Sequence, residues 1–226
     1  MSSTPRRRNL RGHGGLLRDE ILSAATRVID GADSEGEVSL RSIAREAGIA
    51  APSVYAHFDD RDRVLEAVAE SSWVQVSDEI AEHVQAATDP RERLLIGCRV
   101  YVSFAQRHPL RYALMTQDGQ APPAARQALA TVTRALLACR GEVPGPCGGP
   151  SFASPSSSLA EPPDSDAVSD PDSDRIAAAL SVALHGVAML HRTDSPNLWL
   201  SDFNTDEVIR TLVDAATLLL VDATPA

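Results

Sequence analysis

Apolar positions recur at helical spacing along most of this chain. Leu17, Ile21, Ala25, Val28 and Ile29 line one face of a first helix, and Gly31 ends the pattern. The segment Asp30–Glu37 is polar with two glycines and reads as a loop. Ser39 is placed to cap a short second helix through Ala47, with Leu40, Ile43, Ala44 and Ala47 facing inward. Gly48 breaks that helix. Pro52 suits the first turn of a third helix, Ser53–Phe58. Asp59 and Asp60 precede a long fourth helix, where acids favour a helix N-terminus. Its apolar stripe reads Leu65, Val68, Ser72/Trp73, Val76, Ile80 and Val84.

Asp89-Pro90 opens a fifth helix carrying Leu94, Leu95, Cys98, Val102 and Ala105. His108-Pro109 interrupts the pattern, and a short helix follows to about Met115. Pro122-Pro123 opens a seventh, through Leu136-Leu137. Residues 140–174 differ in kind: 19 of the 35 are Gly, Pro or Ser, with seven acids. Such a composition predicts a disordered acidic linker. Two strongly apolar helices close the chain, near 175–192 and 205–221. No segment alternates as a strand does, so the fold class is all-α.

Hydrophobic residues make up 43% of the chain and aromatics 4%. That supplies a core rich in alanine and leucine, which favours helix. Every basic side chain is arginine, which is read as a compositional bias. The net charge of −10 argues at first against nucleic acid. Its distribution does not: residues 1–65 are neutral overall, and residues 1–18 hold five arginines and no acid. A local basic patch can hold DNA while the rest of the surface is acidic, although the run Arg6–Arg8 suits a solvated tail equally well. Cys98, Cys139 and Cys147 form no CxxC pair and fit no zinc spacing, so reduced thiols in a cytoplasmic protein are expected. The N-terminus lacks the apolar stretch of a signal peptide. No run of about 20 apolar residues suggests a membrane span.

The segment Ser39–Phe58 carries the chemistry. Two short helices that cross steeply and closely need a small residue on the first, here Ala44. They need a residue tolerant of positive φ in the turn, here Gly48, and a branched apolar residue facing back from the second, here Val54. Ile43 and Ile49 complete the small core. The run Leu40-Arg41-Ser42-Ile43-Ala44-Arg45-Glu46-Ala47-Gly48-Ile49, followed by Ser53-Val54-Tyr55-Ala56-His57-Phe58 and then Arg61, Leu65 and Val68, resembles the DNA-binding domain of the tetracycline-repressor (TetR) family. The likeness covers residues 17–68, about a quarter of the chain.

The resemblance implies roles. Arg41 and Ser42 would approach phosphate at the start of the second helix. Ala50, Ala51, Pro52 and Ser53 would lead the recognition helix into the groove. Tyr55 and His57 would donate hydrogen bonds to phosphates, and Arg61, where the family usually has Lys, would do likewise. Ala50 stands where the family usually has a capping Ser or Thr, which points to apolar contact with thymine methyls. Phe58 reads as core and Tyr55 as surface.

Further along, Arg107-His108-Pro109-Leu110-Arg111-Tyr112 and Leu184-His185-Gly186-Val187-Ala188 resemble a subfamily with a His-Gly pair in its C-terminal ligand domain. Ser181 stands where that group often has Trp. Tyr101, Phe104, Tyr112, Met115, His185 and Met189 are candidates for an apolar ligand pocket with polar handles; each singly is more often core than pocket. No nucleophile motif, phosphate loop or metal-ligand spacing is present, so neither enzyme, cofactor nor metal is expected. A helical scaffold or orphan enzyme without DNA binding is the competing reading.

The expected layout is a flexible basic arm over 1–15, a helix-turn-helix domain over 16–62, and a helical ligand-binding and dimerisation domain over 63–226. The expected partners are a double-stranded DNA operator, a small-molecule effector and a second copy of the chain, with no membrane.

Overall fold

The computed structural model describes residues 14–117, 121–141, 171–190 and 204–222. Among them are α1 (Gly14–Asp30), a 3-10 turn (Glu35–Glu37), α2 (Leu40–Ala47), α3 (Ala51–Tyr55), α4 (Arg61–His83), α5 (Pro90–Arg107), α6 (Pro109–Met115), α7 (Pro123–Cys139), α8 (Pro171–Leu190) and α9 (Thr205–Asp222). No strand occurs among the described residues, and the fold is all-α as expected. The arginine run Arg6–Arg8, most of the expected acidic linker (142–170) and Cys147 lie outside the described residues.

Helix α1 starts at Gly14, inside the arm expected over 1–15, α7 runs on to Cys139, and the third and eighth helices differ more from the sequence expectation. The third helix begins at Ala51 and ends at Tyr55, where Ser53–Phe58 was expected. Ala50 is its N-terminal boundary, and the amides of His57 and Phe58 both fold back on the Val54 carbonyl as the helix closes. The eighth helix starts at Pro171, so residues 171–174 belong to it and not to the linker. Pro-Asp-Ser-Asp is linker-like in composition, yet it also makes a good first turn. Proline needs no amide donor there, and acids favour the N-terminal end of the helix dipole. Asp174 accepts a hydrogen bond from Thr133 of α7 at 3.1 Å, which ties that turn to the rest.

The chain divides into two compact units. The first comprises residues 1–75 and 107–120. Its core joins Ile21, Ala24, Ala25 and Ile29 of α1, Val38, Leu40, Ile43 and Ala44 in and before α2, Val54 and Phe58 in and after α3, Val64, Leu65 and Val68 of α4, and Leu114 of α6. Polar contacts reinforce the placing of α6. Arg111, only 3% exposed, donates to Asp30 Oδ1 at 2.8 Å and to Gln75 Oε1 at 2.7 Å. A buried guanidinium is costly unless its donors are satisfied, and these two acceptors meet part of that demand. His108 Nδ1 also lies 3.2 Å from Asp30 Oδ1. Burial, then the Arg111 charge, hold its imidazole below the ordinary range against the pull of Asp30. The Trp73 indole donates to the Met115 carbonyl at 3.3 Å.

The second unit comprises residues 76–106 and 121–226. Its core gathers Leu94, Leu95, Cys98 and Val102 of α5, Leu136 of α7, Ala177, Leu180, Leu184 and Val187 of α8, and Ile209, Val213, Ala216 and Leu220 of α9. Two ion pairs run along α5 and α9 in opposite order: Arg91 with Asp214, and Arg99 bidentate on Asp206. The order makes the two helices antiparallel. Burial pushes the Cys98 thiol up to about 12, which suits a small apolar residue and not a nucleophile. By length and composition α8 could cross a membrane, which the sequence reading did not anticipate. It is nonetheless packed into this core through four residues.

Candidate nucleic-acid interface

The site is assembled around the α2–α3 joint. Ser39 caps α2 with a reciprocal pair of bonds: the Ser42 amide donates to Ser39 Oγ at 3.1 Å, and the Ser39 amide donates to Ser42 Oγ at 3.0 Å. A cap of this kind satisfies two amides that a helix start otherwise leaves bare. At the far end Gly48 adopts φ 65°, ψ 34°, the left-handed region that favours glycine. Its amide and that of Ile49 return to the last carbonyls of α2, with Ile49 N to Ala44 O at 2.9 Å. That reversal sends α3 back across α2. Ala44, 3% exposed, and Val54, fully buried, then meet in one core. The expected roles of Ala44, Gly48 and Val54 are those observed.

Packing decides which side chains remain outside. Arg41 is exposed on α2, and Tyr55 is 57% exposed at the end of α3. Ala50 and Pro52 are exposed, and Ala51, Ser53 and His57 are half-buried. Phe58 is buried, and the Arg18 guanidinium lies 4.9 Å from its ring centroid. Ala50 makes no side-chain cap for α3, as its methyl requires. A hydroxyl, an imidazole and a guanidinium are thus left exposed or half-exposed around the joint, with small apolar groups at the start of α3.

Two candidates have protein partners. The Ser42 hydroxyl donates to the Ser39 carbonyl at 2.8 Å as part of the cap. The Arg61 side chain turns to the loop before α2: Nε donates to Val38 O at 2.8 Å, and Nη2 reaches the backbone carbonyl and carboxylate of Glu35. Sequence reasoning missed the network around Asp30 and Glu35. Its one legible sign was an arginine on the apolar face of a short helix, Arg111.

The candidate ligand residues divide between the units. Tyr112, fully buried, and Met115, 6% exposed, belong to the first. Tyr101, Phe104, His185 and Met189 belong to the second. Phe104 is fully buried there, and Tyr101 packs half-buried against the core. His185 is half-buried, and Met189 is 39% exposed.

Residues 21–68 match the model of bacterial regulatory proteins of the tetR family, and residues 94–216 match that of the tetracyclin repressor-like C-terminal domain. The second match alone spans more than half of the chain. The chain belongs to the tetR family. Within the first match, α2 and α3 form its helix-turn-helix. A solved structure of a protein of unknown function from Rhodococcus sp. RHA1 is 25% identical with a TM-score of 0.64, over 93% of this chain and 98% of that one. An uncharacterized HTH-type transcriptional regulator of Mycobacterium tuberculosis is 27% identical over 101 residues, 45% of this chain and 50% of its own length. Nucleoid occlusion factor SlmA of Vibrio vulnificus is 24% identical over 92 residues, 41% of this chain and 47% of that protein. The chain thus spans about half the length of the curated relatives it matches.

The joint makes a direct prediction. Gly48→Ala places a Cβ on a left-handed residue and should cost about 1–2 kcal/mol. Urea unfolding should show a lower midpoint with an unchanged slope, and an unaltered midpoint would contradict the strain argument.

Proposed function

We propose that this tetR-family regulator represses transcription from a palindromic operator and is released from it by a small, largely apolar ligand. The observation that carries the DNA half is the exposure of Arg41 and Tyr55 on either side of a rigid α2–α3 joint. Arg41, Ser42, Tyr55 and His57 position the protein on phosphates. Ala50, Ala51, Pro52 and Ser53 meet base edges, chiefly by apolar contact. Residues 16–62 serve DNA and residues 63–226 serve ligand and dimer, in the cytoplasm.

Dimerisation is supported by apolar side chains exposed on the last two helices: Val182 at 71%, Leu218 at 66% and Leu219 at 58%. Such a surface is costly in water and is relieved by a second copy. Two recognition helices then sit about 34–36 Å apart, one DNA turn. The ligand half rests on Tyr101 and Phe104 of α5 as apolar wall and His185 of α8 as polar anchor. Any ligand that prefers the conformation with the wrong helix spacing weakens DNA binding, and DNA weakens ligand binding by the same factor.

Arg41→Ala and Tyr55→Phe should each weaken binding to a duplex selected from a random-sequence pool by about 1–3 kcal/mol, without loss of thermal stability. Unchanged affinity in both at fixed salt would remove the contact assignment. Light scattering at micromolar concentration should give a dimer, and a monomer would exclude the two-helix spacing. Once a screened compound releases DNA, His185→Ala and Phe104→Ala should raise the concentration needed; wild-type response in both places the pocket elsewhere.

A further inference from the structure

Arg61 opens α4, where the family resemblance implies a phosphate contact. Its surroundings describe a different task. The side chain is 31% exposed, and its guanidinium is aimed at the α1–α2 loop. Nε donates to the Val38 carbonyl at 2.8 Å, and Nη2 lies 3.0 Å from Glu35 Oε1 while also donating to the Glu35 carbonyl. The other Glu35 oxygen, Oε2, accepts from Gln117 Nε2 at 3.0 Å. Glu35 is therefore gripped from two directions, by the start of α4 and by the residue two places beyond α6. The gripped segment is the 3-10 turn Glu35–Glu37, which runs directly into Val38, Ser39 and the capped N-terminus of α2.

We propose that Arg61 is a positioning residue for DNA binding. It fixes the height and direction of the α2 N-terminus, and hence of Arg41, by clamping the Glu35–Val38 backbone, and it does not itself bind phosphate. The proposal rests on the regulatory reading above. The chemistry requires arginine. Two carbonyls three residues apart, plus a carboxylate, are met by a planar fork of donors, and the single ammonium of lysine cannot span them. Lysine would serve a phosphate as a point charge equally well, and this separates the two roles.

The test compares Arg61→Lys, Arg61→Met and Arg41→Ala in the full chain. The first measurement needs no DNA. In the free protein the clamp predicts that amide exchange at Glu37, Val38 and Ser39 is about tenfold faster in both Arg61 variants, with α5 amides unchanged. A phosphate-only role predicts no change, and that result overturns the proposal. The second measures affinity for a duplex that the wild-type chain selects from a random pool, across a range of salt. Arg61→Lys should lose about tenfold or more with the salt slope of the wild type, and Arg61→Met should match it in both respects. Arg41→Ala should flatten the slope by about one ion. Wild-type affinity in Arg61→Lys, or a slope flattened by about 0.9 in Arg61→Met, would assign Arg61 to phosphate and end the proposal. If the wild-type chain selects no duplex at all, the regulatory reading fails, while the exchange measurement still decides the clamp.

Discussion

The close crossing of α2 and α3 is the constraint on which the exposed face of α3 depends. Two helices joined by so short a turn can approach only if nothing larger than a methyl lies at the contact, and Ala44 supplies that methyl. The chain must also reverse within Gly48-Ile49-Ala50, which takes Gly48 to φ 65°. Once both conditions hold, Val54 is driven into the core and the opposite side of α3 is driven out. Tyr55, the next residue, is exposed for the same reason that Val54 is not. A large residue at position 44, or a Cβ at 48, would move every group on that surface together.

The joint does not stand alone, because one helix and two short ones cannot bury much apolar area. The first unit recruits the front of α4 and all of α6, from far along the sequence. Leu114 adds to the core, but direction comes from polar groups. Apolar contacts tolerate sliding and rotation, whereas the two Arg111 bonds to Asp30 and Gln75 have narrow geometry. At the other end Gln117 meets Glu35. Short α6 is thus registered at both ends against α1 and the loop that follows it. Ordinary capping works beside this: Asp60 Oδ1 accepts from the Arg63 amide at 2.8 Å and starts α4.

The second unit is organised by a different balance. Its core is almost wholly aliphatic, so α5, α7, α8 and α9 are held by burial with little inherent register. The paired ions of α5 and α9 add that register at positions two turns apart. They are partly exposed, so their worth lies in alignment more than in stability. Arg93 closes the α4–α5 corner by donating to the carbonyls of Val84 and Ala87, both at 3.2 Å. The Val84 carbonyl, just past the end of α4, also accepts from the Ala87 amide at 3.3 Å, so the corner is closed by backbone and side chain together.

Local signals in the sequence were enough for the helices and for the helix-turn-helix. Ser39, Gly48 and Pro52 act on their immediate neighbours, and the spacing of Ala44 and Val54 follows from helix geometry alone, so these could be read without a fold. Phe58 as core and Tyr55 as surface were legible for the same reason. Composition misled where a segment suits two states: Pro171-Asp172-Ser173-Asp174 is linker-like in content and a helix start in fact. What only the tertiary structure decided are pairings across long separations. Nothing local joins Arg111 to Asp30, 81 positions away, or Arg61 to Glu35, 26 positions away. A charged residue announces that it needs a partner, but many acids can satisfy an arginine, and the choice among them is made by how the helices pack.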